Sequence, residues 1–207
     1  MLRDTRAGLD HIAFHKVDLR AGTAAIAVTS LGFADHAPLP EKYTADGVGV
    51  SPSLAWSPLP VGTHSVLVIV EDADAPTPHP WVHAIVVGLR PDETALAEAA
   101  MPSADNDGTR LHVGLNSFLQ AAWLPPDPPP GHGIHRYCFQ VFALDAVVDF
   151  EPRPGREAVL DALAQHGLAS GCLIGTYERP DTSIRSDDRI AANPPEPGPV
   201  EAIPLAS

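Results

Sequence analysis

The residues best equipped for chemistry come in pairs with one spacing. Asp72 with Asp74, Trp81 with His83, and His135 with Tyr137 each stand two positions apart. In extended chain that spacing puts both members of a pair on one face. Gathered together, the imidazoles and the phenol would offer hydrogen bonds to an anion, and the carboxylates would accept them from a cation. The same groups in a pocket could also serve as general acid and base. A purely structural reading stands beside these two: His135, Arg136 and Asp145 as an edge network, with Asp74 capping a turn. Spacing alone leaves all of them open.

The elements that would position these residues are strands. SVLVIV (65–70) and HAIVVGL (83–89) are short, β-branched and bounded by turn formers, as buried strands are. Between them Pro76, Pro78 and Pro80 each lack an amide donor and push the preceding residue toward extended geometry. The connection is therefore a loop with a rigid course, and the polar cluster lies where core strands meet it. Further strands are predicted at AAIAV (24–28), YCFQVFAL (137–144) and GCLIGTY (171–177), at irregular spacing with no internal repeat. Helical patterning is confined to TALAEAAM (94–101) and GREAVLDALAQHG (155–167), read as surface helices. WLPPDPPPGHG (123–133) carries five prolines between 125 and 130 and reads as a stiff loop with a flexible exit.

Composition agrees with this picture and narrows the functions. The chain has 207 residues with 23 prolines and 16 glycines, favouring one strand-rich domain over residues 1–192 and a proline-rich tail over 193–207. A formal charge of -13 argues against nucleic acid or an anionic membrane surface as partner, so an anion would need a local pocket. No window approaches a transmembrane span and the N-terminal stretch has no apolar core of a signal, which predicts a cytoplasmic protein. Cys138 and Cys172 lie in apolar surroundings and read as buried free thiols. His79 and His83, like His11 and His15, have helical spacing for a metal, but Pro80 removes the helix and no full ligand shell can be named. No G-x-S-x-G elbow and no phosphate-binding Gly-Lys loop occurs, so no nucleophile, metal or cofactor is expected.

EDADAP (71–76), PWVHAIVVGL (80–89) and PPPGHGIHRYCFQVFALD (128–145) resemble the phosphatidylethanolamine-binding protein family, in particular its bacterial Raf kinase inhibitor-like branch. SPSLAWSPLPVGTHS (51–65) and LASGCLIGTYER (168–179) extend the resemblance, which covers roughly residues 29–179. It implies a mainly β, antiparallel sandwich-like domain with Greek-key character and a few peripheral helices. It also implies a small anion pocket at one end, lined by Asp72, Asp74, His83, His135 and Tyr137, with Trp81 and Pro76 shaping the wall. Cis peptide bonds are implied at Ala75-Pro76 and His79-Pro80, where the cis form costs only about 0.5 to 1 kcal/mol.

The chain departs from the family pattern in having Ala73 where a proline is usual, and LQAAWLPPD (119–127) in place of a glycine-rich stretch. Trp123 and Leu124 would then narrow or cover the pocket mouth. The leading expectation is a non-catalytic binder of a small anion or phosphoethanolamine-like headgroup, acting on a kinase or protease as inhibitor. The rival is a hydrolase using the Asp/His cluster on a small phosphoester. A third reading, a structural partner protein, requires Trp123 to fill the pocket. A homodimer is the default assembly, as the commonest oligomer.

Overall fold

The computed structural model describes residues 5–17, 19, 25–103 and 110–179. Within these the strands are β1 (Val28–Thr29), β2 (Ala37–Pro38), β3 (Leu54–Trp56), β4 (Ser65–Asp72), β5 (Trp81–Leu89), β6 (Ala95–Leu96), β7 (His112–Val113), β8 (His135–Leu144) and β9 (Gly167–Tyr177). Helices are limited to α1 (Ala13–Lys16), α2 (Arg156–His166) and two single 3-10 turns, Leu9–His11 and Glu41–Tyr43. The strands form a six-stranded sheet in the order β2-β9-β8-β4-β5-β7 and a three-stranded sheet in the order β1-β3-β6. All neighbours run antiparallel except β2 and β9. The architecture is a mainly β, sandwich-like domain, as the sequence implied.

Strand β4 shows why its sequence is apolar without alternation. Val66, Val68 and Val70 enter the core between the two sheets, while Leu67 and Ile69 join Val159, Ala162 and Leu163 of α2 on the other face. With both faces covered, every position is worth burying, at about 1.5 to 3 kcal/mol for each large aliphatic side chain. Strand β8 divides the same way, with Tyr137, Phe139, Val141 and Ala143 facing the small sheet. Gly171 on β9 allows the chain before β1 to lie against the large sheet, because a Cβ there would sit 2.0 Å from the Ile26 carbonyl oxygen.

Two expectations need correction. TALAEAAM is not helical: Ala95 and Leu96 pair with Ala55 and Leu54 as the edge of the small sheet, and Ala99 takes a φ of 61°. Burial of Leu96 in the core and a ladder partner outweigh the weak helix preference of an alanine-rich segment. GREAVLDALAQHG is helical over Arg156–His166, and Gly167 closes it. Gly167 is extended (φ -65°, ψ 126°) and begins β9 directly. The first predicted strand shrinks to Val28–Thr29, with Ala25 bridged to Ser170, and Ala24 lies outside the described residues. So does the proline-rich tail 193–207.

Candidate functional site

Three strands end side by side in the middle of the large sheet: β4 at Asp72, β5 beginning at Trp81 and β8 beginning at His135. Asp72 lies opposite both Trp81 and Tyr137. Along β8, simple alternation aims His135 and Tyr137 at the same side. Strand β5 does not alternate simply. Val70 pairs with Ala84 and Glu71 with Val82, which leaves His83 as an extra residue in a β-bulge. Before the bulge Val82 faces α2, whereas after it Ala84 faces the small sheet. The bulge thereby places both Trp81 and His83 on the cavity side.

The result is a cavity of about 450 Å³ at one end of the sandwich, within the usual range for small-ligand sites. Asp72, His83, His135 and Tyr137 supply its polar lining, and Trp81, Phe118, Leu124, Pro76, Pro125, Pro128 and Pro129 its apolar wall. Asp72 is fully engaged: Oδ1 accepts the Asp74 amide at 2.8 Å and Oδ2 the His135 Nδ1 at 2.7 Å. His135 Nε2 in turn lies 2.6 Å from His132 Nδ1. A carboxylate only accepts, so His135 carries a proton on Nδ1, and its Nε2 shares one hydrogen bond with His132 Nδ1.

Two buried polar atoms in this wall have no hydrogen-bond partner, His83 Nε2 and the Tyr137 hydroxyl. His83 donates Nδ1–H to the Leu124 carbonyl at 2.7 Å. Burial pulls the His83 pKa below the ordinary imidazole value, against the opposing pull of Asp72, so Nε2 is a bare acceptor. Burial, with the Asp72 and Asp74 charges second, pushes the Tyr137 phenol far above its ordinary value, so it keeps its proton as a donor. The two rings meet edge to face at 5.1 Å between centroids.

Asp74, expected in the lining, does not line the cavity. Its carboxylate takes the fork of Arg136 (Nε at 2.7 Å, Nη2 at 2.7 Å), the Arg136 amide at 2.9 Å, and Arg6 at 3.2 Å. Burial opposes its ionisation, but the Arg136 bonds and charge outweigh burial and hold the pKa below the ordinary carboxylate range. Asp74 is 2% exposed, and it locks the loop to β8. The Asx-type turn belongs to Asp72, and Asp145 pairs with His166 rather than His135. The Ala73 amide donates to the Arg136 carbonyl at 3.0 Å, a bond that the usual proline would forgo.

The loop also differs from expectation in its peptide geometry: Ala75-Pro76 and His79-Pro80 are both trans, and no cis bond occurs among the described residues. Hydrogen bonds shape it instead, from the Thr77 amide to the Ala75 carbonyl (2.8 Å) and from the Thr77 hydroxyl to the His79 carbonyl (2.6 Å). With the turn closed in that way, the intrinsic trans preference of X-Pro bonds prevails.

Trp123 neither covers nor fills the cavity. It is buried in the core, stacked on Phe139 at 6.2 Å, and only Leu124 of that pair reaches the lining. The facing loop is braced by Asn116, whose side chain holds the Phe118 and Gln120 amides and the Ala122 carbonyl. Arg179 ties Asp127 on the rim to Asp46. Of the residues expected in the site, Asp72, Pro76, Trp81, His83, His135 and Tyr137 come together. Leu124 was expected at the mouth and reaches the lining, whereas His132 and Phe118 were not anticipated. The one available signal was the spacing of His132 three residues before His135 in GHGIH. Among the described residues no cluster of three or more His, Cys, Asp or Glu side chains suits a metal, and no helix is long and apolar enough to cross a membrane.

The fold has counterparts among solved structures. A crystal structure from Chlamydia trachomatis, described as a putative phosphatidylethanolamine-binding protein homolog, superposes with a TM-score of 0.67 at 37% identity, covering 76% of this chain and 99% of that one. Escherichia coli YbcL, described as a new member of the mammalian PEBP family, superposes with a TM-score of 0.68 at 29% identity, covering 75% and 99%. In sequence, a UPF0098 protein of Methanothermobacter thermautotrophicus is 37% identical over 147 residues, which is 71% of this chain and 95% of the relative. The family model described as "Phosphatidylethanolamine-binding protein" matches residues 29–178. The chain belongs to the phosphatidylethanolamine-binding protein family.

Proposed function

We propose that this protein binds a small phosphate monoester or phospho-headgroup without turning it over. The observation that carries the proposal is the pair of unpartnered buried atoms, His83 Nε2 and the Tyr137 hydroxyl, side by side in an otherwise largely apolar cavity. A buried polar group left unpaired costs about 1 to 3 kcal/mol, which a ligand that pairs it would return. A phosphate monoanion suits both atoms, because its oxygens accept from Tyr137 and its own P–O–H donates to His83. Passage of that proton to the ring would leave an ion pair, which strengthens the contact. Asp72 disfavours a dianion and favours a ligand with an ammonium group, as in phosphoethanolamine.

Trp81 and Phe118, packed edge to face at 5.5 Å, give a hydrocarbon linker an apolar wall. The kinase- or protease-inhibiting role belongs to the same reading. A protein partner would meet the rim, where Phe118 is 60% and Leu119 76% exposed. The test is an NMR titration with O-phosphoethanolamine and, separately, inorganic phosphate, following histidine ring signals in wild type and Tyr137→Phe. Saturable shifts at His83, weakened in the variant, support the reading. Their absence with both ligands overturns it, and release of inorganic phosphate from the ester would establish the rival hydrolase.

A further inference from the structure

The cavity has two walls. One is the end of β4 with the loop after it, which contributes Asp72, Ala75 and Pro76; the other is the stretch leading into β8, which contributes Pro128, Pro129 and His135. Against the first wall lies a segment that precedes the family-matched residues 29–178. The Gly8 amide donates to the Ala73 carbonyl at 2.7 Å, the Ala7 amide to the Ala75 carbonyl at 3.0 Å, and the Ala13 amide to the Glu71 carboxylate at 2.7 Å. Residues 7–13 are thus a strap, bonded to this wall at three points.

Arg6 carries the hold across to the second wall. Its guanidinium donates to the Ile134 carbonyl at 3.0 Å and to the His132 carbonyl at 2.9 Å, directly before His135 enters the lining. The His132 amide donates in turn to the Pro129 carbonyl at 3.1 Å, which extends the hold to the proline lining. A planar guanidinium holds two acceptors in one fixed geometry. Asp74 balances its charge at 3.2 Å. The clamp does not depend on that carboxylate, because the Ala7 and Gly8 amides hold the first wall by themselves. Asp74 in turn keeps the Arg136 fork without Arg6.

We infer that Arg6 is a positioning residue for the pocket: through the strap it joins the two walls from outside and fixes their spacing before a ligand arrives. This rests on the anion-binding reading above and adds to it a determinant of affinity that lies outside the cavity. Walls set in advance impose no ordering cost on the ligand. Without the guanidinium fork the stretch before β8 loses its tie to the strap, and ordering it becomes part of the binding step.

The test compares wild type, Arg6→Ala, Arg6→Met and Phe14→Ala in titrations with O-phosphoethanolamine. Arg6→Met keeps the aliphatic stem in case truncation loosens the strap. Phe14→Ala is the control for lost stability alone, since that side chain packs on the face of the sheet opposite the cavity. Both Arg6 variants should bind about three- to tenfold more weakly, the equivalent of one net hydrogen bond, while Phe14→Ala binds as wild type does. In the ligand-free Arg6 variants the amide signals of Ile134 and His135 should broaden, and in Phe14→Ala they should stay sharp. Wild-type affinity in both Arg6 variants, or a loss that Phe14→Ala reproduces, overturns the positioning role and leaves the anion pocket standing. Absence of binding by wild type overturns the pocket reading and the positioning role together.

Discussion

Replacing Asp74 with alanine separates structure from binding at the residue where the two were hardest to tell apart. The carboxylate is 2% exposed and receives the Arg136 fork, the Arg136 amide and Arg6. Losing one partner of a buried ion pair costs about 3 to 5 kcal/mol. Here the Arg136 side chain is 35% exposed and can rehydrate, so the lower figure of about 2 to 3 kcal/mol is the expectation. In a chain of this size that corresponds to a fall in Tm of about 5 to 10 °C. Urea melts of wild type, Asp74→Ala, Arg136→Ala and the double variant should give a coupling energy of about 1 to 3 kcal/mol. The Asp74 pKa lies below its unfolded value of 3.8, so its contribution is present above that pH and is lost as pH falls through the folded value. Phosphoethanolamine affinity should change little. Destabilisation below about 0.5 kcal/mol together with lost binding would refute the assignment of Asp74 as a lock and return it to the lining.

Tyr137→Phe removes a buried hydroxyl that has no protein partner, so stability should hold or rise by up to about 1 kcal/mol while affinity for the phosphate ester falls; thermal melts and titration check both. His83 has a folded pKa below its unfolded 6.5, so its contribution is fully present above about pH 6.5 and erodes as pH falls. Urea midpoints between pH 7.5 and 5.5 should therefore drop more in wild type than in His83→Gln. Gly171→Ala sets a Cβ 2.0 Å from the Ile26 carbonyl and should cost about 2 to 3 kcal/mol by displacing the segment before β1, as chemical denaturation would show.

Most of the sheet was legible because its strands announce themselves locally. SVLVIV, HAIVVGL, YCFQVFAL and GCLIGTY all lie within long strands. TALAEAAM misled because its fate depends on an edge partner distant in sequence, which no local preference encodes. The two-residue spacing worked for His135 and Tyr137 through plain alternation. For Trp81 and His83 it worked through a bulge that pattern counting cannot see. It did not carry over to Asp74, which lies past the end of β4, where alternation no longer governs direction. There Arg136 captures the side chain, and that pairing depends on the register of β8 against β4. His132 went unread for a similar reason, since its contact requires knowing how the glycines on either side turn.

The mouth of the cavity is walled largely by proline. Pro76, Pro125, Pro128 and Pro129 line it with backbone already fixed on folding. A ligand arriving at such an entrance meets a proline wall that is set before it comes. In stopped-flow mixing, the observed rate should therefore rise in proportion to ligand concentration without levelling off.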